Sequence, residues 1–356
     1  MTGTISLTST PVPAGVPPFI AGIDLGGTAV NVTILDANGT FLIDGLCEHP
    51  ARSVEGPAVC LRQIAEALQV AVAQAGVSAE DIVAIGLDTP GPATAAGVLS
   101  QRGSTNFVHP DWAGFDIRGE LEQSLGLPVH YLNDGNAAAV WGHAAIFGDE
   151  PGRSSVSAII GTGLGGGVIE QGRVIAGSRG FGGELGHVLI PVATLIDSLP
   201  DLAGLDPRCN CGRRGDLESL CSLTAIRQTL LPHFLKSQPD HLLATLDPGK
   251  AATRVRGLAA EGDELCQAIF RVQARALGLF FDQMINVFDP DALIVGGGAI
   301  EAAASFQQWF LDEIRQGFPS QREEQREIPL KIMPNGDTAG ARGAAFEARR
   351  RIRSQA

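Results

Sequence analysis

The sequence lacks the features that mark several large classes of protein. No apolar run is long enough to span a bilayer, and residues 1–18 have neither a basic start nor a continuous apolar core, so no signal peptide is predicted. The six cysteines show no spacing typical of a secreted disulfide framework. The 26 basic residues are outnumbered by 39 acidic ones, and the formal net charge of -13 argues against nucleic acid or an anionic membrane as the main partner. We therefore expect a cytoplasmic protein with reduced thiols.

The amino-acid composition is that of an ordinary globular protein. Hydrophobic residues make up 44% of the 356 positions and charged residues 18%, and a chain of this length can form two domains with their own cores. The 45 glycines predict many tight turns and close backbone approaches. Residues 1–18, rich in Thr, Ser and Pro, are predicted to be a flexible tail.

The hydrophobic pattern predicts the same strand–turn–strand unit twice. Residues 19–24 form the first predicted strand, a Gly-Gly-Thr turn follows, and residues 31–36 form the return strand before a third strand at residues 41–43. Residues 156–170 repeat this layout around a Gly-Thr-Gly turn. The glycines lie inside hairpins, whereas in a P-loop or a dinucleotide-binding fold they lead into a helix. We interpret the two units as a weak internal repeat, with a domain boundary near residue 134.

The remaining pattern predicts further helices and strands. The predicted helices cover residues 55–75, 116–125, 136–147, 221–235, 262–287, 301–316 and 339–353. The predicted strands cover residues 82–88, 128–132, 292–296 and 330–332. Of these strands, the second ends at Asn133 and Asp134, and the third runs into three consecutive glycines.

Asn133 and Asp134 lie between a predicted strand and a predicted helix, which is where sites form in α/β sheets. A carboxylate at this point can accept a proton from a substrate hydroxyl, and the Asn side chain can hold a neighbouring hydroxyl. The alternative is that Asp134 only caps the following helix, and the local pattern by itself favours that reading. The two roles do not exclude each other.

Two matched glycine-Thr hairpins, one in each half of the chain, are what a split phosphate clamp needs. Backbone N–H groups in such turns bind anions, and side chains would prevent the close approach of a phosphate. Asp24 precedes the first turn and could reach a hydrated Mg²⁺. Alternatively, each glycine is only a turn residue, because a single glycine turn is weak evidence of a site.

Residues 180–187 and 209–218 place carboxylates, an imidazole and two thiols among glycines. Glu184 and His187 are three residues apart, so in a helical turn they would share one face. Cys209 and Cys211 are near enough to bind one metal ion together with His187, and this donor set suits zinc. The alternative is a glycine-rich loop with two reduced, buried thiols. The density of the cluster favours a functional site.

Taken in order, these motifs resemble the ROK family of sugar kinases and sugar-responsive repressors. The resemblance extends from about Phe19 to the end of the chain. It is carried by residues 24–28, 133–134, 161–167, 182–187, 209–212, 289–290 with 294–298, and 339–345.

The resemblance implies an α/β protein with an actin-like ATPase fold of the hexokinase type, in which two domains, each a mixed β-sheet flanked by helices, surround a cleft. The N-terminal domain is expected to comprise residues 19–133 with a C-terminal helix at about 341–353. The C-terminal domain is expected at residues 134–340, with a sugar and zinc loop at 180–221. The implied activity is transfer of the ATP γ-phosphoryl group to the 6-hydroxyl of a hexose, with glucose as the favoured substrate and glucose 6-phosphate as product.

The resemblance also implies a role for each matching residue, with Asp134 as the general base on the sugar 6-hydroxyl. The residues expected to hold the other hydroxyls are Asn106, Asn133, Glu184, His187 and Glu218. The residues expected to contact ATP and its Mg²⁺ are Asp24, Gly26, Gly27, Thr28, Gly161, Thr162, Gly163, Gly296, Gly297 and Gly298. A structural Zn²⁺ is expected at His187, Cys209 and Cys211.

Two departures from the family pattern affect the predicted zinc loop. Asp216 stands where the family has a third cysteine, and because Asp can bind zinc through oxygen, a His-Cys-Cys-Asp site is predicted. The alternatives are that Cys221 substitutes as a ligand, or that the site holds metal weakly or not at all. Residues 191–207 are longer than the usual loop and could alter metal geometry, sugar access or a subunit contact.

The sequence leaves the phosphoryl donor, the sugar and the assembly open. Polyphosphate could replace ATP, and mannose, fructose, N-acetylmannosamine or N-acetylglucosamine could replace glucose, because discrimination depends on loop shape around residues 103–111 and 180–187. A repressor of this family would carry a winged helix before the first glycine motif, and 18 residues are too few for one. We expect a hexose and ATP as partners, a homodimer or homotetramer, and no nucleic acid or membrane partner.

Overall fold

The computed structural model describes residues 15–102, 106–319 and 327–355. Most of the segment predicted as a flexible tail, and Gly103 of the predicted sugar-contacting loop, lie outside the described residues. Across the described ranges, no helix combines the length and the apolar character needed to cross a membrane.

Within the described ranges, the first sheet has five strands in the order β3-β2-β1-β4-β5. Strands β1 to β3 form an antiparallel meander, and β4 and β5 extend the sheet in parallel with β1. The strands are β1 Phe19–Leu25, β2 Ala29–Leu35, β3 Cys47–Pro50, β4 Ile82–Thr89 and β5 Val129–Asn133.

The second sheet repeats this arrangement in the order β8-β7-β6-β9-β10. Strands β6 to β8 are antiparallel, and β9 and β10 continue in parallel with β6. The strands are β6 Ser155–Ile160, β7 Leu164–Glu170, β8 Arg173–Val174, β9 Ala292–Gly296 and β10 Leu330–Ile332. The internal repeat predicted from the sequence is therefore confirmed at the level of sheet topology.

Helices flank both sheets. They are α1 Pro57–Ala75, α2 Ile117–Leu125, α3 Asp134–Phe147, α4 Val192–Ser198, α5 Leu223–Ala225, α6 Leu231–Leu235, α7 Pro248–Ala260, α8 Glu264–Phe288, α9 Ala304–Gln316 and α10 Ala339–Gln355. A π-helical turn, Ile226–Leu230, joins α5 to α6. One apolar core lies around the first sheet with α1 and α2, and a larger one around the second sheet with α7, α8 and α9. The domain boundary near residue 134 stays a prediction.

Several elements differ from the sequence prediction. The predicted third strand at residues 41–43 is wrong: Leu42 and Ile43 are buried, but only Phe41 bridges to β2, and the paired strand is β3. The predicted glycine turn at residues 161–167 is shorter, because β7 already begins at Leu164. Helices α4 and α7 were not predicted, since α4 lies in the long 191–207 segment and α7 is rich in Ala and Arg.

Glycines allow α10 and α3 to pack closely against the sheets. A methyl group at Gly86 of β4 would lie 2.0 Å from the Ala344 carbonyl oxygen of α10. One at Gly343 of α10 would lie 1.8 Å from the Ala137 carbonyl oxygen of α3. One at Gly167 of β7 would lie 2.6 Å from the Ala139 methyl group, also on α3. Helix α3 thus contacts α10 on one side and the second sheet on the other. The glycines of β7 permit the close contact between this strand and α3.

We predict that Gly86→Ala destabilises the protein by about 1–3 kcal/mol, because the added methyl group forces α10 away from the sheet. The midpoint of urea unfolding measures the effect. The control is Gly257→Ala, in the middle of α7, where a methyl group meets no atom within 4 Å. That substitution is expected to raise stability by about 0.5–1 kcal/mol through helix propensity. Equal midpoints for the two variants would contradict the close packing.

Candidate active site

Asp134 is the first residue of α3 and lies directly after β5. Asn133, with an extended backbone, is the residue that caps the helix, and its Oδ1 accepts a hydrogen bond of 2.9 Å from the Gly135 N–H. The Asp134 Oδ1 accepts a second bond from the same N–H at 2.7 Å. The interpretation of Asp134 as only a helix cap is therefore wrong, because the cap position belongs to its neighbour.

The Asp134 carboxylate reaches solvent but is closely surrounded by protein. Loss of bulk water raises the pKa of Asp134 to about 6, and the negative charges of Asp24 and Glu184 add to this rise. The hydrogen bond from Gly135 works in the opposite direction and moderates the shift. An accessible carboxylate with a pKa near 6 can act as a base at neutral pH.

Asp24 and Asp88 form a carboxylate pair beside Asp134. They are register partners on the parallel strands β1 and β4. Asp24 accepts a hydrogen bond of 3.2 Å from Asn31, whereas Asp88 is fully buried and neither of its oxygens meets a donor among the described residues. Burial raises the pKa of Asp88 well above its ordinary value, and the charges of Asp24 and Asp134 reinforce the effect.

Sequence reasoning missed Asp88, although the signal was present. Asp88 stands near the end of a buried apolar strand, as Asp24 does. The pairing of β1 with β4 is what places the two carboxylates side by side. A methyl group at Gly340, in the first turn of α10, would lie 3.1 Å from Asp88 Oδ2, so the start of this helix covers the pair.

Both predicted glycine turns form hairpins. In the first, the Gly26 N–H donates to the Ala29 carbonyl at 2.9 Å, and the Gly27 carbonyl accepts a bond from the Ser53 hydroxyl. In the second, the Gly161 N–H donates to the Gly163 carbonyl at 2.9 Å.

The second hairpin is held from outside and approaches α3. The Thr162 carbonyl accepts from the Thr224 hydroxyl at 2.8 Å. A methyl group at Gly165 would lie 3.4 Å from the Gly135 Cα, so this hairpin lies against the residue that follows Asp134. Thr28 lies at the corresponding end of the first hairpin, where its carbonyl accepts from the Ala51 N–H at 2.8 Å.

The third glycine motif, Gly296 to Gly298, begins with the last residue of β9, and Gly296 pairs with Ile159 near the end of β6. Gly297 has a φ of 96°, and a methyl group there would lie 2.4 Å from the Ile160 carbonyl oxygen. The Gly298 carbonyl accepts a bond from the Arg256 guanidinium. The motif therefore adjoins the hairpin that contains Gly161.

Glu184 and Asn133 converge on Gly91. A methyl group at Gly91 would lie 3.1 Å from the Asn133 Nδ2 and 3.9 Å from the Glu184 Oε1. Glu184 precedes a short 3₁₀ helix, Leu185–His187, so Glu184 and His187 do lie within one helical turn. The side chain of Asn136, which sequence reasoning missed, donates to the Gly182 carbonyl at 2.9 Å and so ties this loop to α3.

Two other predicted sugar contacts, Glu218 and Asn106, lie beside the glycine hairpins. Glu218 accepts from the Leu164 N–H at 2.9 Å and from the Cys209 thiol at 3.2 Å, so it links the second hairpin to the thiol loop. Asn106 lies beside Gly27, with its carbonyl oxygen 3.2 Å from the position of a Gly27 methyl group. Their roles toward a sugar stay predictions.

The four predicted zinc ligands come together. Donor atoms of His187, Cys209, Cys211 and Asp216 all lie within 4.8 Å of one another. His187 Nδ1 is 3.1 Å from Asp216 Oδ2, and Cys211 Sγ is 3.5 Å from the same oxygen. Cys221 does not belong to this group, because its buried thiol donates to the Gln273 carbonyl. The donor set of nitrogen, two sulfurs and oxygen fits zinc.

A second donor cluster, His241 with Asp263 and Cys266, is explained by helix capping. His241 Nδ1 accepts from the Leu243 N–H, and its Nε2 lies 3.0 Å from Asp263 Oδ2. Asp263 is the N-cap of α8 and accepts from the Cys266 N–H. Both ring nitrogens are thus occupied by protein groups.

Two five-stranded sheets of the same topology, each flanked by helices, define an actin-like ATPase fold of the hexokinase type. Within that class, a family model described as the ROK family matches residues 20–351, and the chain belongs to this family.

Named relatives cover nearly the whole chain. The glucokinase of Thermotoga maritima is 30% identical over 348 residues, which is 94% of this chain and 98% of the relative. A ROK hexokinase from Thermus thermophilus superposes with a TM-score of 0.72 at 30% identity, covering 94% of this chain and 99% of that chain. A ROK family glucokinase from Streptomyces griseus, solved in complex with glucose and AMPPNP, gives a TM-score of 0.67 at 26% identity over 93% and 99% of the two chains.

We predict that Glu184→Gln lowers the pKa of Asp134 below about 6, because it removes one of the negative charges that favour the protonated form. Burial, the larger cause, remains, so the pKa should stay above its ordinary value. Carbon-13 NMR titration of labelled aspartate carboxyls measures the shift, and the signal missing in Asp134→Asn identifies the residue. Glu170→Gln, on the exposed end of β7, is the control and should leave this pKa unchanged. An equal pKa in the Glu184 variant and the wild type would refute the coupling.

Proposed function

We propose that the protein is an ATP-dependent sugar kinase that phosphorylates the 6-hydroxyl of glucose. The observation that carries this proposal is the solvent-accessible Asp134 carboxylate, with a raised pKa, beside Asn133 and Glu184 and next to the second glycine hairpin.

Asp134 acts as the general base in this reaction. Its pKa of about 6 leaves the carboxylate ionised at neutral pH yet basic enough to draw a proton from a hydroxyl that attacks phosphorus. Such a positioned base typically contributes on the order of 10²–10⁴-fold to the rate. Asn133 Nδ2 and Glu184 Oε1, which meet at Gly91, supply a donor and an acceptor for neighbouring sugar hydroxyls.

The two glycine hairpins bind the phosphates of ATP. Phosphoryl transfer depends on positioning and charge stabilisation more than on covalent catalysis, and backbone N–H groups supply both. Asp24 would hold the hydrated Mg²⁺ that accompanies the nucleotide. A cation suits this position because neither oxygen of the buried Asp88 beside it meets a donor among the described residues, and a nearby positive charge would lower the raised pKa of Asp88. Gly296 to Gly298, next to the second hairpin, would face the adenosine.

Glucose is favoured as the sugar by the names of the relatives. The Thermotoga maritima relative is named glucokinase, and the Streptomyces griseus structure holds glucose and AMPPNP. Relatives named N-acetyl-D-glucosamine kinase are 28–29% identical, so a direct comparison of sugars is the decisive measurement.

His187, Cys209, Cys211 and Asp216 would hold a structural zinc ion. When bound, the ion would cross-link the loop after residue 180 to the loop after residue 208, and it would take no part in phosphoryl transfer. Burial works to raise the pKa of Asp216, but hydrogen bonds from His187, the Ser219 N–H and the thiols outweigh it, so the pKa of Asp216 is lowered. The surroundings of Asp216 therefore favour an ionised carboxylate, which can bind zinc at the position where the family has a third cysteine.

We predict that the purified protein forms ADP with glucose and Mg·ATP, and that Asp134→Asn lowers kcat by about 10²–10⁴-fold while leaving glucose binding largely intact. The amide keeps the shape of the side chain but cannot accept the hydroxyl proton. A coupled ADP assay measures turnover, and calorimetry measures glucose binding. Asp240→Asn, an exposed residue far from the site in sequence, is the matched control.

A panel of mannose, fructose, N-acetylmannosamine and N-acetylglucosamine, each with ATP or polyphosphate, identifies the substrates. The highest kcat/KM with glucose and ATP is the expected result. A higher kcat/KM with another sugar or with polyphosphate would overturn the assignment of glucose and ATP as substrates, but it would still support a sugar kinase activity. If no sugar of the panel accepts a phosphoryl group, the proposed sugar kinase activity is overturned.

We predict about one zinc per chain in the wild-type protein and a large loss of zinc in Cys211→Ser, because a neutral hydroxyl is a poor replacement for a thiolate ligand. Mass-spectrometric metal analysis of protein purified without chelator measures the content. Asp216→Cys should retain zinc, and Cys60→Ala, a buried thiol in α1, is the control. Zinc-free wild-type protein, or equal loss in the Cys60 variant, would refute the assignment.

A further inference from the structure

A cavity of about 340 Å³ lies away from the candidate active site, between α3, the β7–β8 hairpin and α10. Helix α3 begins at Asp134 and lines this cavity with residues of its C-terminal half, Val140, His143 and Ala144. The opposite wall is the end of α10. The cavity is therefore a cleft between two helices and the β7–β8 hairpin, and clefts of roughly 300–1,000 Å³ are the usual form of small-molecule sites.

The floor of the cavity is apolar. Val140 and Ala144 from α3, Ile169 and Val174 from the hairpin, and Phe346 from α10 line it. His143 adds no charge, because burial lowers its pKa to about 4 and its Nδ1 pairs with the Ser155 hydroxyl at 2.9 Å. A ligand with an apolar body would thus displace water from apolar surface.

The rim carries arginines that outnumber the carboxylates available to them. Glu347, itself 2% exposed, is the partner of both Arg350 and Arg351, each at 2.7 Å. One carboxylate therefore offsets two guanidinium groups. Arg350 lines the cavity, whereas Arg351 does not.

Asp149, a second carboxylate of the cavity wall, is also shared by two arginines. Asp149 is the partner of both Arg349, at 2.6 Å, and Arg353, at 3.3 Å. Arg349 is 5% exposed and stacks on the Phe346 ring, and its buried Nη1 lies beside Gly39, outside the cavity lining. The remaining acid of the wall, Glu150, is the partner of Arg153, which lies outside the cavity.

Among the described residues, four arginines near the end of α10 thus form ion pairs with two carboxylates, in a chain whose formal net charge is -13. Arg173 adds a further guanidinium on the hairpin side of the cavity. Arg350 already donates from Nε and Nη2 to Glu347. Arg353 donates from Nη1 to Asp149 and from Nη2 to the Ala37 carbonyl. An anion would therefore meet the remaining N–H groups of these two arginines and their positive charge. The excess of positive charge at this point favours an anion.

We propose that this cavity binds a small organic anion, with its phosphate or carboxylate group against Arg350 and Arg353 and its apolar body against the floor. The inference does not depend on the proposed kinase activity. Because α3 reaches from this cavity to Asp134, a bound anion would brace the helix that carries the candidate base.

The test uses 8-anilinonaphthalene-1-sulfonate, a fluorescent anion with an apolar body. The wild-type protein is expected to bind one equivalent. Two further probes separate charge from shape: N-phenyl-1-naphthylamine has a similar body without the charge, and inorganic phosphate has the charge without the body. The anilinonaphthalene anion should bind more tightly than either.

Three variants locate the site. Arg350→Gln/Arg353→Gln should weaken binding of the anion by at least about tenfold, because charge-assisted hydrogen bonds are lost, and should leave the neutral probe unchanged. Ala144→Phe fills the floor and should weaken both organic probes. Arg254→Gln, an exposed arginine on α7, is the control and should bind like the wild type.

The double arginine variant decides whether the anion binds in this cavity. Anion binding that is unchanged in the double arginine variant, or equally weakened in Arg254→Gln, would overturn the proposal by showing diffuse binding elsewhere. Should Ala144→Phe fail to fold, the arginine variants still decide the question. Competition by sugar phosphates and by di- and tricarboxylates then distinguishes the two sources of the anion, and displacement by either class supports the site.

Discussion

The rest of the structure depends on the close packing of α3 against α10. Gly343 brings the backbones together, since a methyl group there would lie 1.8 Å from the Ala137 carbonyl oxygen. Helix α3 starts with Asp134, and the first turn of α10 covers Asp24 and Asp88 through Gly340. One helix pair thus fixes the carboxylates of the candidate site relative to each other. Protein interiors are close-packed, so a shift of either helix would be transmitted to those side chains.

The candidate site brings four carboxyl groups together: Asp88 is buried, whereas Asp134 and Glu184 reach solvent but are closely surrounded by protein. Asp24, Asp88, Asp134 and Glu184 influence one another electrostatically, and burial is the first cause of the raised pKa at each. The arrangement costs stability at Asp88, because a buried carboxyl group whose oxygens meet no described donor has lost its hydrogen bonds to water. Functional sites commonly retain this kind of unfavourable arrangement, since it supplies a base of suitable strength. A cation near Asp24 and the sugar hydroxyls would relieve part of the cost.

The thiol loop and the second hairpin form one connected unit through Glu218. Its two carboxylate oxygens accept from the Leu164 N–H and from the Cys209 thiol. Asn136 connects the loop before Glu184 to α3 in a similar way. The loops that would contact a sugar are therefore tied to the hairpin that would contact a phosphate. Their relative placement is set by hydrogen bonds and not by apolar packing alone.

The sequence by itself determined the strand–turn–strand repeat, most of the helices and the chemical character of each motif, because these follow from local periodicity and glycine position. Spacing also indicated His187, Cys209 and Cys211 as metal donors, and the family resemblance added Asp216. Only the tertiary structure decided that Asp88 pairs with Asp24, that Asn133 caps the helix in place of Asp134, and that β3 and not residues 41–43 completes the meander. Those features depend on which strands become neighbours and on what covers them. Pairing and burial join residues far apart in the chain, and no local pattern records them.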